Sequence, residues 1–206
     1  YYLRQDERFA GYRDAYLQYI ALLFELAGIA DGEAKADAIM ALETQLAEVH
    51  WTPAENRDVE KTYNPMTLAE AKELAPGFDW DTVLAEANLG SPETLVVEQT
   101  TAITASGALT HSVSLDTWKD YLKFHFINDS AVYLPKAFDD ARFEMFSKTL
   151  TGTLEQRDRW KRGVQLLNRS MGEAVGQVYV ERHFPPESRV QITELVNNLS
   201  AAMEER

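Results

Sequence analysis

The longest helical pattern at the start of the sequence spans residues 6–27, which read DERFAGYRDAYLQYIALLFELA. Apolar side chains recur in this stretch at intervals of three and four residues, which predicts one long amphipathic helix. The side chains expected on its buried face are Tyr12, Tyr16, Tyr19, Leu23 and Leu26. Gly28 follows directly and is typical of a helix C-terminus. The rest of the chain is therefore interpreted around one long helix with a core-facing side.

Helical periodicity also dominates the remainder of the sequence. Thr67 with Glu70 has the spacing of a capping box, and Asp79 and Ser114 are good N-caps. Further helices are predicted at about 33–50 and 67–75, from 79 through Leu84, up to 109, and from 114 through Phe126. Others follow at about 137–150, 155–169, 172–184 and from 187 onwards. The only strand candidate is 95–99, which is expected to lie at an edge or to pair with something outside the chain. The sequence predicts an all-α fold with at most one short strand pair, its helices packed orthogonally or as a bundle.

Composition limits the kind of partner this chain can have. It contains 206 residues, 45% of them hydrophobic, with a formal net charge of −13 and no cysteine. Such an acidic chain is a poor ligand for nucleic acid or for an anionic membrane surface, since both need clustered Lys and Arg. The absence of cysteine excludes disulfides and thiolate zinc sites. The longest apolar stretch, 15–30, is interrupted by Gln18 and Glu25 and is too short to span a membrane.

The histidines do not have the spacing of a zinc site. A zinc peptidase helix carries His-Glu-x-x-His, because imidazoles four residues apart share one helix face. None of the four histidines is four residues from another: they are His50, His111, His125 and His183. Glu33 and Asp37 fit a Glu-x-x-x-Asp pattern, which we interpret as a solvated helix face. The sequence predicts no catalytic, cofactor-binding or metal-binding residue in this chain.

Several other polar residues are interpreted as structural. His125 and His183 each lie one helical turn from an aromatic residue, which favours partly buried histidines held by hydrogen bonds. Asp139 and Asp140 are adjacent and point to different sides of a helix, so both are expected to be solvated.

A basic cluster and a glycine pair lie in the last quarter of the chain. In the segment 157–162 we expect Trp160 to face the core and the cations to face solvent, where they can form salt bridges. Gly172 and Gly176 share a helix face and predict close helix packing. By residue chemistry alone, the chain is an acidic, soluble, helical domain.

Short motifs in a fixed order extend from the first residue to the last. They are Tyr1-Tyr2-Leu3, Leu42-Glu43-x-x-Leu46-Ala47, Arg57-Asp58, Tyr63-Asn64-Pro65-Met66-Thr67-Leu68, Pro76-Gly77-Phe78-Asp79-Trp80, Trp118-Lys119-Asp120-Tyr121-Leu122, Gly152, Arg159-Trp160-Lys161-Arg162, Gly172-Glu173-Ala174-Val175-Gly176-Gln177-Val178-Tyr179-Val180 and Phe184-Pro185. Together they resemble the neprilysin and endothelin-converting-enzyme family of zinc metalloendopeptidases. The resemblance covers essentially the whole chain.

This resemblance implies a two-lobed enzyme that hydrolyses small peptides. One lobe carries His-Glu-x-x-His, a downstream zinc-binding Glu and an Asn-Ala stretch that holds the peptide backbone. The other lobe is helical and closes over the substrate chamber, which restricts access by size. Residues 1–185 are similar to the helical, substrate-gating lobe, and 186–206 to the start of the helix that leads back to the catalytic lobe.

None of the catalytic motifs has a matching position here, so Zn²⁺ is expected in the other lobe. The expected partners are that catalytic lobe and small peptides, and the chain by itself is expected to be inactive. It opens at Tyr1 without an initiator Met and closes in mid-helix, which predicts a segment of a longer protein. The lack of disulfides and of a membrane anchor favours a soluble bacterial member, in the periplasm or outside the cell rather than in the cytoplasm.

Two other hypotheses remain open. The chain could be an autonomous acidic helical domain that binds other proteins and has no peptidase lobe. It could also belong to a degenerate relative that has the second lobe without the histidine pair.

Overall fold

The computed structural model describes residues 1–204, and the chain divides into two compact units, 1–154 and 155–206. The first unit contains eight α-helices: α1 Glu7–Leu26, α2 Gly32–Val49, α3 Val59–Thr62, α4 Leu68–Leu74, α5 Trp80–Glu86, α6 Thr100–Ser112, α7 Leu115–Ser130 and α8 Lys136–Arg142. The second contains α9 Arg159–His183 and α10 Pro186–Glu204. Shorter turns of helix are 3₁₀ at Glu55–Arg57 and Ala131–Tyr133 and π-helical at Phe143–Thr149. The described residues hold one strand pair, so the predicted all-α class is confirmed.

The antiparallel pair α1 and α2 forms the centre of the first unit. Asp6 caps α1 by accepting a hydrogen bond from the Phe9 backbone N–H, and Gly28 ends it with a φ of +70°. The two helices approach closely at Gly32, where a Cβ would lie 2.9 Å from the carbonyl oxygen of Ala21. The buried core is built mainly on these helices together with α7, α8 and the π-helical turn: Tyr19, Ile20, Leu23, Phe24, Ala36, Ile39, Phe124, Ala141 and Met145.

The strand candidate finds its partner inside the chain. Strand β1, Pro65–Met66, pairs antiparallel with β2, Leu95–Val96. The prediction of at most one short strand pair is confirmed, and β2 is an edge strand, as the first of the two alternatives has it. The second alternative, a partner outside the chain, is wrong. The sequence hides this partner because two residues that start with proline carry no strand signal. The capping box of Thr67 and Glu70 follows β1 at once and begins α4, as predicted.

Helix α7 buries a different face from the one its apolar pattern indicates. Leu115, Leu122 and Phe126 are exposed, and the buried residues of α7 are Asp120, Phe124 and Asn128. Asn128 Oδ1 accepts a hydrogen bond of 2.8 Å from the Tyr19 hydroxyl. Asp120 receives Lys35 Nζ at 2.6 Å and Lys123 Nζ at 3.1 Å. Burial opposes ionisation of Asp120, and the hydrogen bonds from both lysines outweigh it, so its pKa is lowered.

The second unit has no buried residue among those described. Its helix α9 has a non-helical residue at Met171, between the two helices that the sequence predicts. The side chain of Trp160 is 66% exposed, so its expected burial is wrong. A Cβ at Gly172 or Gly176 would meet no atom within 4 Å, so the predicted close packing is also wrong. The units divide at 154/155 and not at the proposed lobe boundary of 185/186, which concerns function and stays a prediction.

Candidate functional site

The four histidines do not form a metal site. His50, His111 and His183 are exposed, so the predicted partial burial of His183 is wrong. In residues 1–204 no group of three His, Asp or Glu side chains could hold a metal ion, and Glu33 and Asp37 lie exposed on α2. The side chains of residues 1–204 therefore do not fit a catalytic zinc ion.

The most organised polar cluster surrounds Glu43, which is buried on α2. Its Oε2 accepts a hydrogen bond of 2.9 Å from the Tyr2 hydroxyl. Its Oε1 receives the Tyr16 hydroxyl at 3.2 Å and His125 Nε2 at 2.8 Å. A carboxylate only accepts, so the proton of the last bond lies on His125. His125 is thus the partly buried structural histidine that the sequence predicts.

Burial keeps the surrounding tyrosines protonated. It raises the pKa of Tyr2 and Tyr16 far above the usual range, and the negative charge of Glu43 raises them further. Burial also raises the pKa of Tyr121, whose ring centroid lies 4.3 Å from that of His125. The hydroxyls of Tyr2 and Tyr16 consequently remain hydrogen-bond donors to the carboxylate.

The Glu43 cluster holds four segments of the first unit together. Tyr2 comes from the N-terminal segment, Tyr16 from α1, Glu43 from α2 and His125 from α7. Above it lies a groove of about 580 Å³, lined by Tyr1, Tyr2, Leu3, Arg4, Glu43, Leu46, Ala47, His50, Trp51, Thr52, Pro53, Tyr121 and His125. Both carboxylate oxygens are already engaged, so the arrangement fits a rigid wall better than a reacting centre.

Residue-by-residue reasoning missed the role of Glu43. The signal was present, because Glu43 lies among the apolar positions Ile39, Leu42 and Leu46 of the same helix. A carboxylate among apolar residues needs a donor, yet Tyr2 and His125 are 41 and 82 residues away.

The prediction that Asp139 and Asp140 are both solvated is wrong for Asp139. Asp139 is buried, whereas its neighbour Asp140 pairs with Lys136 near the surface.

Residues 1–206 match the model of the N-terminal region of peptidase family M13. The chain belongs to peptidase family M13. Members of M13 are zinc metalloproteases, and this chain corresponds to the N-terminal domain of the neprilysin-like ones. The resemblance found in the sequence is confirmed.

Individual M13 proteins show the extent of the similarity. Human endothelin-converting enzyme 1 is 27% identical over 213 residues, which cover all of this chain and 27% of that protein. A neutral endopeptidase of Lactobacillus helveticus is 27% identical over 186 residues, covering 89% of this chain and 29% of that protein. Zinc metalloprotease Zmp1 of Mycobacterium tuberculosis, in its open state, has 39% identity and a TM-score of 0.84 over 96% of this chain.

The M13 relatives are much longer than this chain. It spans 31% of the Zmp1 chain and between a quarter and a third of each relative named above. No helix in the described part of the chain is both long and apolar enough to cross a membrane.

Proposed function

We propose that this chain is the non-catalytic helical domain of a neprilysin-like zinc metalloendopeptidase that hydrolyses small peptides. In this proposal the domain closes the substrate chamber and restricts access by size, and zinc is bound by the other lobe. The observation that carries the proposal is the Glu43 cluster: one buried carboxylate fixes four segments of an M13 domain without presenting a reactive group. Exclusion by size requires a wall that does not yield, which buried hydrogen bonds provide.

Exposed apolar surfaces favour the proposal that another lobe of the protein binds this domain. On α7 these are Leu115, Leu122 and Phe126, which lie on one helix face. The second unit has many more, among them Trp160, Val164, Leu167, Val175, Val178, Tyr179, Val190, Ile192, Leu195, Val196 and Leu199. Contiguous apolar patches larger than a few hundred Å² usually mark interaction sites. The proposed partner is the catalytic lobe of the same peptidase.

Size restriction is tested on the intact parent enzyme with peptides of graded length that share one cleavage sequence. We expect kcat/KM to fall steeply with length. Glu43→Ala should loosen the wall and raise kcat/KM for long peptides at least threefold relative to short ones. Glu48→Ala is the matched control, since Glu48 lies exposed on the same helix, and it should change nothing. Equal cleavage of long and short peptides by the unmodified enzyme would refute gating.

The alternative is an autonomous acidic domain that binds other proteins. The same exposed apolar faces favour it, because a separate protein could cover them. The coding sequence that follows Arg206 distinguishes the two. A downstream His-Glu-x-x-His supports the peptidase proposal, and a stop codon soon after Arg206 supports the alternative.

A further inference from the structure

Within the described residues, one edge of strand β2 has no partner strand. Strand β1 pairs with the other edge, with Pro65 opposite Val96 and Met66 opposite Leu95, and the Val97 N–H donates to the Asn64 carbonyl at 3.1 Å. In an antiparallel pair the backbone groups of successive residues face opposite edges. The N–H and C=O of Val96 therefore point away from β1. No hydrogen bond found among residues 1–204 involves them, and the side chain of Val96 is 52% exposed.

A groove of about 330 Å³ has residues of β2 and α6 in its wall. It is lined by His50, Trp80, Leu95, Val96, Val97, Glu98, Gln99, Ala102, Ile103 and Ser106. Its volume is within the range of roughly 300–1,000 Å³ that is usual for ligand clefts. A groove between a free strand edge and a helix is the geometry that accepts an extended peptide as an added strand.

The ionisable side chains that line the groove are those of Glu98 and His50. Glu98 is the only carboxylate among the lining residues, and the lining contains no Lys or Arg. The charge of this surface therefore favours a peptide that carries a basic side chain.

We propose that an extended peptide with alternating apolar and basic residues binds along β2 as a third strand. Its backbone pairs with the N–H and C=O of Val96, its apolar side chain enters the groove, and its basic side chain lies at Glu98. That this peptide is a substrate of the peptidase rests on the proposed function. The binding itself does not.

The test uses the 206-residue chain and a fluorescein-labelled hexapeptide of alternating valine and lysine, followed by fluorescence anisotropy. Val96→Pro removes the N–H used by the peptide and leaves the bonds of Leu95 and Val97 to β1 in place. We expect saturable binding that this substitution weakens at least tenfold. Val59→Pro is the matched control: Val59 is exposed at the first position of α3, where proline is tolerated, and affinity should stay within twofold.

Two further measurements keep the result unambiguous. Glu98→Gln should weaken binding of the valine–lysine hexapeptide two- to fivefold. It should leave the affinity for a valine–serine hexapeptide unchanged. If Val96→Pro disturbs the fold by circular dichroism, a hexapeptide N-methylated on the residues that face β2 takes its place and should lose binding to the unmodified chain.

The proposal is overturned if the unmodified chain shows no saturable binding, or if Val96→Pro binds as Val59→Pro does. It is equally overturned if the N-methylated peptide binds as well as the unmethylated one. Hydrolysis is not measured, so a failed peptidase assignment leaves this binding result intact. A failed binding result likewise leaves the size-gating proposal untouched.

Discussion

The two units of the chain contrast in what their helices bury. In the first, α1 and α2 enclose Ile20, Leu23, Phe24 and Ile39, none of which retains exposed surface. In the second, α9 and α10 carry an equally regular apolar pattern, and no described residue is buried. Amphipathic periodicity thus predicts which face of a helix is apolar, but it does not predict what covers that face. In the first unit the apolar faces of α1 and α2 pack against one another, and in the second unit the apolar faces are exposed.

The contrast should be largest for a core truncation. Phe124 is 1% exposed and packs against the rings of Tyr16, Tyr19 and Phe24. Phe124→Ala leaves a cavity among them and should lower the free energy of unfolding by about 3–5 kcal/mol. Leu195→Ala in α10 should change it by less than about 0.5 kcal/mol. Urea denaturation followed by circular dichroism measures both changes. Similar losses of unfolding free energy for the two variants would contradict the difference in burial between the units.

Glycine-to-alanine substitutions should have opposite effects on stability in the two units. A Cβ at Gly77 would clash with the backbone of Gly107, so the two segments must separate. Gly77→Ala should therefore cost about 1–3 kcal/mol of unfolding free energy. At Gly176 a Cβ meets open space, and Gly176→Ala should stabilise its helix by roughly 0.5–1 kcal/mol. Thermal denaturation compares the variants, and a stabilising Gly77→Ala would contradict the packing described here.

The Glu43 cluster should make a smaller contribution. Glu43→Gln keeps the shape of the side chain, but its amide cannot accept from all three donors. We expect a loss of about 1–2 kcal/mol in urea denaturation, since a buried donor is left unpaired. Glu48→Gln on the exposed side of α2 should have no measurable effect. Equal stability of the two variants would mean that the cluster does not hold the unit together.

Alkaline pH should give the smallest effect, again within the first unit. Burial raises the pKa of Tyr2, Tyr16, Tyr19 and Tyr121 above the ordinary value of 10.0. The stability that they contribute is complete well below pH 10 and declines as pH rises, because the unfolded chain ionises its tyrosines first. We expect a loss of about 1 kcal/mol between pH 9 and pH 10. Urea denaturation at both pH values measures it, with tyrosinate absorbance as the check on ionisation.

Local signals in the sequence predict most of the helices. The N-caps Asp79 and Ser114 and the capping box at Thr67 act within one turn, so neighbouring residues suffice to locate them. The interruption at Met171 lies between two predicted helices. The face that a helix buries, by contrast, depends on residues distant in the sequence. The α7 face is set by partners from α1 and α2, because Asn128 and Asp120 become tolerable in the core once Tyr19 and Lys35 bond to them.

The candidate site could be predicted only in part. The sequence predicts that His125 is structural, but it does not predict the partner Glu43, which lies 82 residues away. The orientation of the Val96 backbone depends on the pairing of β2 with β1, and the sequence of β1 carries no strand signal. The assignment of 1–185 to a gating lobe and the location outside the cytoplasm stay predictions.

We expect this M13 domain to contribute structure to the parent enzyme and to hold no catalytic metal. Isothermal titration of the purified 206-residue chain with zinc, combined with a hydrolysis assay on short fluorogenic peptides, measures both properties. The expected result is no stoichiometric zinc binding and no hydrolysis above the buffer rate. One zinc ion bound per chain, with peptide cleavage that a chelator abolishes, would contradict this expectation.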